Sequence, residues 1–233
     1  MSIYVLVHGA WHGRWCWGRV EDRLRARGHR TVSMDLPVDD GSATFLDYRN
    51  AVLEAWPDDD DDVVLVGHSL GAMVVPLVAA ERPVTVSVFV CPVVPNVAGL
   101  PWDDMPEMGA AGAYQTATHQ DGSVTFDSID EARFTFYGTC TASDTAWAFE
   151  RLRPQNSASL WDRPYPLETL PPGRCVVIGG RRDHAITPEF LAAAAARRLG
   201  TDPVWLDSDH SPFLSDAPPL VDVLTGLTGV APG

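Results

Sequence analysis

The stretch Val63-Val64-Leu65-Val66-Gly67-His68-Ser69-Leu70-Gly71-Ala72-Met73 decides the fold. An aliphatic run too short for a helix and apolar on both faces reads as a buried strand. It enters a Gly-x-Ser-x-Gly turn directly, and beyond the turn Leu70, Met73, Val74, Leu77 and Val78 recur at the spacing of an amphipathic helix over 70–80. Strand, tight turn and helix in immediate succession are the context of a nucleophile elbow, in which a serine on a strained backbone is raised above a sheet. Gly67 and Gly71 lack the Cβ atoms that such a turn would drive into its neighbours. The plainer reading, a bystander serine in a tight turn, leaves the two flanking elements as coincidence.

Outward from this stretch the same beat repeats. Short β-branched runs at 3–7, 31–34, 84–90, 175–178 and 204–206 alternate with helix candidates at 19–27, 44–56, 188–199 and 218–227. Gly28 stands at a helix C-cap position, and Pro188 and Pro218 suit first helical turns. Strands apolar on both faces and joined by helices predict an α/β fold, a doubly wound, mostly parallel sheet of about six strands with helices on both faces. The beat breaks over 97–170, which separates a core of 1–96 and 171–233 and is too long for an ordinary connection. This insertion carries Trp102, Tyr114, Phe126, Phe134, Phe136, Tyr137, Trp147 and Trp161 and reads as a cap over one edge of the sheet.

The 233 residues suit one substantial core, and 45% hydrophobic with 21% charged residues exclude disorder and a membrane-spanning class. A net charge of −14, from 31 acidic and 17 basic residues, repels phosphate backbones and anionic lipid, so neither nucleic acid nor a membrane is an expected partner. Every basic residue is arginine, which excludes a P-loop lysine, a Schiff base and a Ser-Lys dyad. Cys16, Cys91, Cys140 and Cys175 show no metal-ligand spacing and read as reduced thiols of a cytoplasmic protein. The N-terminal residues show no export signal, the aspartate run at 58–62 reads as a solvated loop, and no metal site is expected.

A serine hydroxyl needs a base and an orienting carboxylate, expected downstream in the order Ser, acid, His. The strand at 175–178 opens into Gly179-Gly180-Arg181-Arg182-Asp183, which makes Asp183 the acid; the last strand is followed by Asp207-Ser208-Asp209-His210, which makes His210 the base. Asp207 and Asp209 are rivals to Asp183 as the acid, but they lie within the histidine's own loop and read as residues that position it. His8, His12 and His68 flank the loops, with structural hydrogen bonding as their plain role. The oxyanion of an acyl-transfer intermediate needs two backbone donors. Leu70 follows the nucleophile, and Ala10 lies in the glycine-flanked loop after the first strand, with Trp11 as a pocket wall.

His8-Gly9-Ala10-Trp11-His12-Gly13-Arg14-Trp15, with Gly28-His29 and Met34-Asp35-Leu36, resembles the branch of the α/β-hydrolase superfamily that contains plant methylesterases, hydroxynitrile lyases and bacterial esterases. The likeness runs from Ile3 to about Leu224 and extends into the insertion at Phe136-Tyr137, Cys140 and Leu152-Arg153-Pro154-Gln155. It implies the core strand order 2-1-3-4-5-6, a cap after the fourth strand, no cofactor, and a homodimer. The hydroxynitrile lyases of that branch carry Thr in place of Gly9 and Lys in place of Ser211; without that cation, cyanohydrin cleavage is disfavoured.

The expected function is therefore a serine hydrolase acting on a small, largely apolar carboxylic ester through an acyl-enzyme. Trp11, His12, Trp102, Phe136, Tyr137 and Trp161 are the expected substrate-pocket residues. Thioester, lactone or C–C bond hydrolysis and a tailoring step in secondary metabolism use the same fold and triad. A ligand-binding protein without turnover ranks lower, since Ser69, Asp183 and His210 are all present.

Overall fold

The computed structural model describes residues 1–58, 62–97, 99–100, 103, 105–161 and 163–228. Most of the aspartate run and Trp102 lie outside the described residues. Six strands form one parallel sheet: β1 (Ile3–Val7), β2 (Arg30–Ser33), β3 (Val63–His68), β4 (Val86–Val90), β7 (Cys175–Gly180) and β8 (Val204–Leu206), in the spatial order β2-β1-β3-β4-β7-β8. This is the expected 2-1-3-4-5-6 arrangement, with every neighbouring pair parallel.

Alternation along the strands builds two cores. Ile3, Val5 and Val7 of β1 face one side, where they meet Phe45, Tyr48 and Val52 of α2 (Phe45–Glu54) and Leu191 and Ala194 of α8 (Pro188–Leu199). Tyr4 and Leu6 face the other side, with Val20 and Leu24 of α1 (Gly18–Ala26) and Leu220, Val221 and Leu224 of α10 (Ala217–Gly226). Burial on both faces explains why these strands lack the polar alternation of a one-sided sheet. Among the described residues, no helix is long and apolar enough to cross a membrane.

The element after the serine departs from the expected amphipathic helix over 70–80. It is a 3₁₀ turn, Ser69–Met73, followed by the short helix α3 (Val75–Ala79), and every residue of the two but Ala79 is buried. Pro76 lies in the first turn of α3, where its missing N–H costs nothing. The apolar period was that of a segment packed between other layers, so it has no solvated face. A Cβ on Gly71 would land on the His8 carbonyl, and one on Gly67 would lie 2.7 Å from the Gly71 carbonyl.

Between β4 and β7 the chain leaves the sheet as α4 (Met105–Met108), a hairpin of β5 (Ala117–Thr118) and β6 (Val124–Thr125), α5 (Ile129–Phe136), α6 (Ala142–Phe149) and α7 (Ala158–Trp161). Its buried side chains join the two cores of the sheet: Met108 and Leu160 belong to one, and Phe126, Phe136 and Tyr137 to the other. The last helix before α10 is α9 (Pro212–Ser215), directly after His210 and Ser211.

The contact at Gly71 sets an expected outcome. Gly71→Ala forces two backbone segments apart, and overpacking of this kind costs about 1–3 kcal/mol. Its urea midpoint should drop accordingly, and an unchanged midpoint would contradict the close packing of the turn on β1.

Candidate active site

Ser69 stands at the end of β3 with φ 51°, a left-handed backbone that a residue with a Cβ seldom adopts. The conformation is held from outside: the Ser69 carbonyl accepts from Val93 N–H at 3.1 Å, and Gly9 lies so close that a Cβ there would sit 2.7 Å from Ser69 Cβ. Leu70 is the second residue of the 3₁₀ turn, where a backbone N–H has no acceptor within the turn itself. Next to the serine, His68 Nε2 donates to the His210 carbonyl at 2.9 Å. Burial holds the His68 ring well below the ordinary histidine pKa, so it is neutral and donates from that nitrogen alone.

Asp183 lies in the turn after β7. Its Oδ1 accepts from the Ala185 and Ile186 N–H groups at 2.8 and 2.9 Å, and its Oδ2 accepts from His210 Nδ1 at 2.8 Å, with both side chains buried. A carboxylate on Nδ1 fixes the ring's orientation and its tautomer. The opposite nitrogen, His210 Nε2, is buried without a hydrogen-bond partner among the described residues. The ring also stands 5.5 Å, centroid to centroid, from Phe136.

Two further groups support this pair. Asp209 is buried, and its carboxylate accepts from Thr139 N–H at 2.8 Å, Ser211 N–H at 2.9 Å and Ser215 Oγ at 3.1 Å. It ties the His210 loop to the insertion, while Asp207 is exposed and paired with Arg182 at 3.1 Å. Cys91 follows β4 with φ 43°, and its Sγ lies with ligand atoms of Asp183 and His210 inside 4.8 Å. Burial and the neighbouring Asp183 push the thiol well above its ordinary pKa, and its Sγ donates to the Asp209 carbonyl at 3.9 Å. Sequence pattern gave no signal for Cys91, whose partner arrives from a strand far along the chain.

The loop after β1 brings Ala10 and Trp11 to the same cavity as Ser69 and Leu70. Its backbone is held by histidines. His8 Nδ1 donates to the Gly9 carbonyl at 2.8 Å and its Nε2 accepts from Leu36 N–H at 2.9 Å. His12 Nδ1 donates to the Ala10 carbonyl at 2.8 Å, and its Nε2 accepts from the Tyr137 hydroxyl at 2.8 Å. Burial lowers the two rings to about 4 and about 3, which keeps both neutral and these directions fixed.

The cavity has a volume of about 620 Å³. Trp11 and Trp161 line it, together with Met105, Met108, Tyr114 and Gln155, and no charged side chain lies among the described lining residues. His12, Phe136 and Tyr137 correct the expectation: they lie one layer deeper, buried, with Phe136 packed 5.8 Å from the Trp11 ring and Tyr137 on His12. Their aromatic surface belongs to the core around the loop. Trp102 lies outside the described residues. Tyr114, absent from the expected pocket, spans from the cavity to the Asp183 turn by donating to the Ala185 carbonyl at 3.0 Å.

The sequence profile of the alpha/beta hydrolase family matches residues 4–223. The chain belongs to the alpha/beta hydrolase family. Over 116 residues it is 37% identical to Methylesterase 3 of Arabidopsis thaliana, a match covering 43% of this chain and 44% of that protein. It is 38% identical over 104 residues to norfluorocurarine synthase 2 of a Strychnos species, covering 40% of this chain and 39% of that one. The matched stretches thus span less than half the length of these curated relatives. The crystal structure of polyneuridine aldehyde esterase has the same fold, with a TM-score of 0.82 at 22% identity, over 98% of this chain and 99% of that one.

Within this alpha/beta hydrolase the buried neutral histidines set the acid response. The folded pKa values of His8 and His12, about 4 and about 3, lie below the ordinary 6.5 that the unfolded chain presents. The unfolded state therefore binds more protons once the pH drops below 6.5, and the stability these rings contribute, complete above that value, is lost on acidification towards their folded values. Each contributes a slope of about 1.4 kcal/mol per pH unit. Urea unfolding between pH 6 and 5 should show a decline that becomes shallower by about that amount in His12→Asn. An identical slope in the variant would contradict the burial of a neutral ring.

Proposed function

We propose that this chain is a serine hydrolase acting on a small, uncharged, largely apolar carboxylic ester. The observation that carries the reading is the His210 ring, with Nδ1 on Asp183 and Nε2 buried and unpartnered, while Ser69 stands on the wall of an uncharged cavity. The fold and the likeness to Methylesterase 3 support the same reading.

In this mechanism Ser69 Oγ bonds to the ester carbonyl carbon as its proton passes to His210 Nε2. The carbonyl π pair becomes an oxyanion, which accepts from the Leu70 and Ala10 N–H groups. Asp183 stabilises the imidazolium without taking its proton. Collapse breaks the bond to the leaving oxygen, and Nε2 returns the proton to that alkoxide. Nε2 then takes a proton from water, the hydroxide attacks the acyl carbon, and Ser69 leaves with its proton restored.

The apolar walls, among them Met105, Met108 and Trp161, suit an aliphatic or aromatic ester with no charge on either half. The insertion acts as the cap that supplies these walls. A cytoplasmic site of action agrees with the four free cysteines, three of them buried. A second reading, a tailoring step on a secondary metabolite with the same residues, is favoured by the likeness to norfluorocurarine synthase 2.

Hydrolysis of p-nitrophenyl butyrate by wild type, Ser69→Ala and Asp183→Asn checks the proposal. Both variants should lose at least about a hundredfold in kcat, because the three side chains act as a unit. Turnover that survives Ser69→Ala, or is absent from the wild type, would contradict an esterase built on this serine.

A further inference from the structure

The oxyanion loop is held by the insertion through atoms that belong to two consecutive peptide planes. The Ala10 carbonyl and the Trp11 N–H share one rigid plane. His12 Nδ1 grips its carbonyl end at 2.8 Å, and Gln155 Oε1 accepts from its N–H end at 3.3 Å. The Trp11 carbonyl, in the next plane, accepts from Arg153 N–H at 2.7 Å. Trp11 itself has φ 59°, a left-handed conformation that costs a residue of this size about 1 kcal/mol or more and persists only where neighbours impose it.

Gln155 is built for one orientation. It is 2% exposed, and its Nε2 donates to the Tyr48 hydroxyl at 3.2 Å and to Ser157 Oγ at 2.9 Å. With both amide protons so used, Oε1 is left facing the Trp11 N–H, and the reversed amide would set donor against donor. Its own backbone is bonded to Val124 in both directions, at 2.8 and 3.0 Å, and the Val124 carbonyl also accepts from the Trp11 indole at 2.9 Å. One buried residue therefore ties the loop after β1 and α2 through its side chain, and β6 through its backbone, at the plane next to the Ala10 N–H.

We infer that Gln155 is a positioning residue, which aims the Ala10 N–H at the developing oxyanion by fixing the Trp11 peptide in its left-handed turn. This rests on the proposed hydrolase reading for its effect on rate, and on the loop geometry alone for its effect on the backbone. Because the oxyanion forms only in the transition state, loosening its donor lowers kcat and leaves substrate binding nearly untouched.

Gln155→Met keeps the length and removes the acceptor; Tyr48→Phe removes a bond at the other end of the same amide and leaves Oε1 on Trp11. With p-nitrophenyl butyrate, Gln155→Met should lose about tenfold to a hundredfold in kcat, with KM within about threefold of wild type. Tyr48→Phe should keep kcat within about twofold. Backbone hydrogen exchange at Trp11 should quicken about tenfold or more in Gln155→Met and stay at the wild-type rate in Tyr48→Phe. Gln155→Asn, one methylene too short to reach Trp11, is the second variant and should show the same loss in kcat and the same quickened exchange at Trp11, also where Gln155→Met does not fold. Unchanged kcat in the Gln155 variants, a loss confined to KM, or an equal loss in Tyr48→Phe would overturn the positioning role. A wild type without ester turnover would instead remove the hydrolase reading, and exchange at Trp11 that is unaltered in the Gln155 variants would still overturn the inference by itself.

Discussion

A serine held at φ 51° between a buried strand and a 3₁₀ turn is the constraint on which the surrounding architecture depends. Left to itself the backbone would relax, since the conformation costs about 1–3 kcal/mol. It is held because the turn packs where only glycine fits, with Gly71 on the His8 carbonyl and Gly9 against Ser69. These contacts require β1 beside β3, and that adjacency is what the parallel sheet provides. The doubly wound layers bury both faces of the two strands, so the strain at one residue is spread over a packed core.

The supporting shell differs from the core in origin. Asp209 accepts from Thr139, Tyr137 donates to His12, and Arg153 and Gln155 meet Trp11; in each case a polar group of the insertion ends on a loop at the end of a sheet strand. Asp209, Tyr137, His12 and Gln155 are buried, and leaving a buried polar group unpaired costs about 1–3 kcal/mol. The insertion thus lines part of a cavity and also bonds to the backbone around it, and its buried side chains merge with the cores of the sheet. Exchange of cavity-facing residues such as Met105 or Trp161 can alter what fits without touching these bonds.

The strand beat and the Gly-x-Ser-x-Gly turn were legible because each depends on neighbours in sequence. The same holds for Asp183 and His210, each placed by the strand before it, and the structure brings the two together at 2.8 Å. The directions of the insertion's side chains were not legible. Phe136 and Tyr137 read as pocket aromatics by type, yet a hydroxyl paired with His12 and a ring against Trp11 turn them into the core. Cys91 carried no local pattern, since the Asp183 and His210 atoms beside it come from far along the chain, and Gln155 lay in a family-like stretch that gave no sign of its bond to Trp11, 144 residues away. The helix expected over 70–80 became a turn and a short helix because its apolar period reflected enclosure on every side.

Labelling with a fluorophosphonate, followed by mass spectrometry of the digested protein, tests the nucleophile most directly. A serine activated by His210 displaces fluoride and keeps the phosphonyl group, so the adduct should be found on the peptide that contains Ser69 and should be absent from Ser69→Ala. A wild type that remains unlabelled, or that carries the group on another residue, would contradict the assignment of Ser69 as the reacting atom's owner.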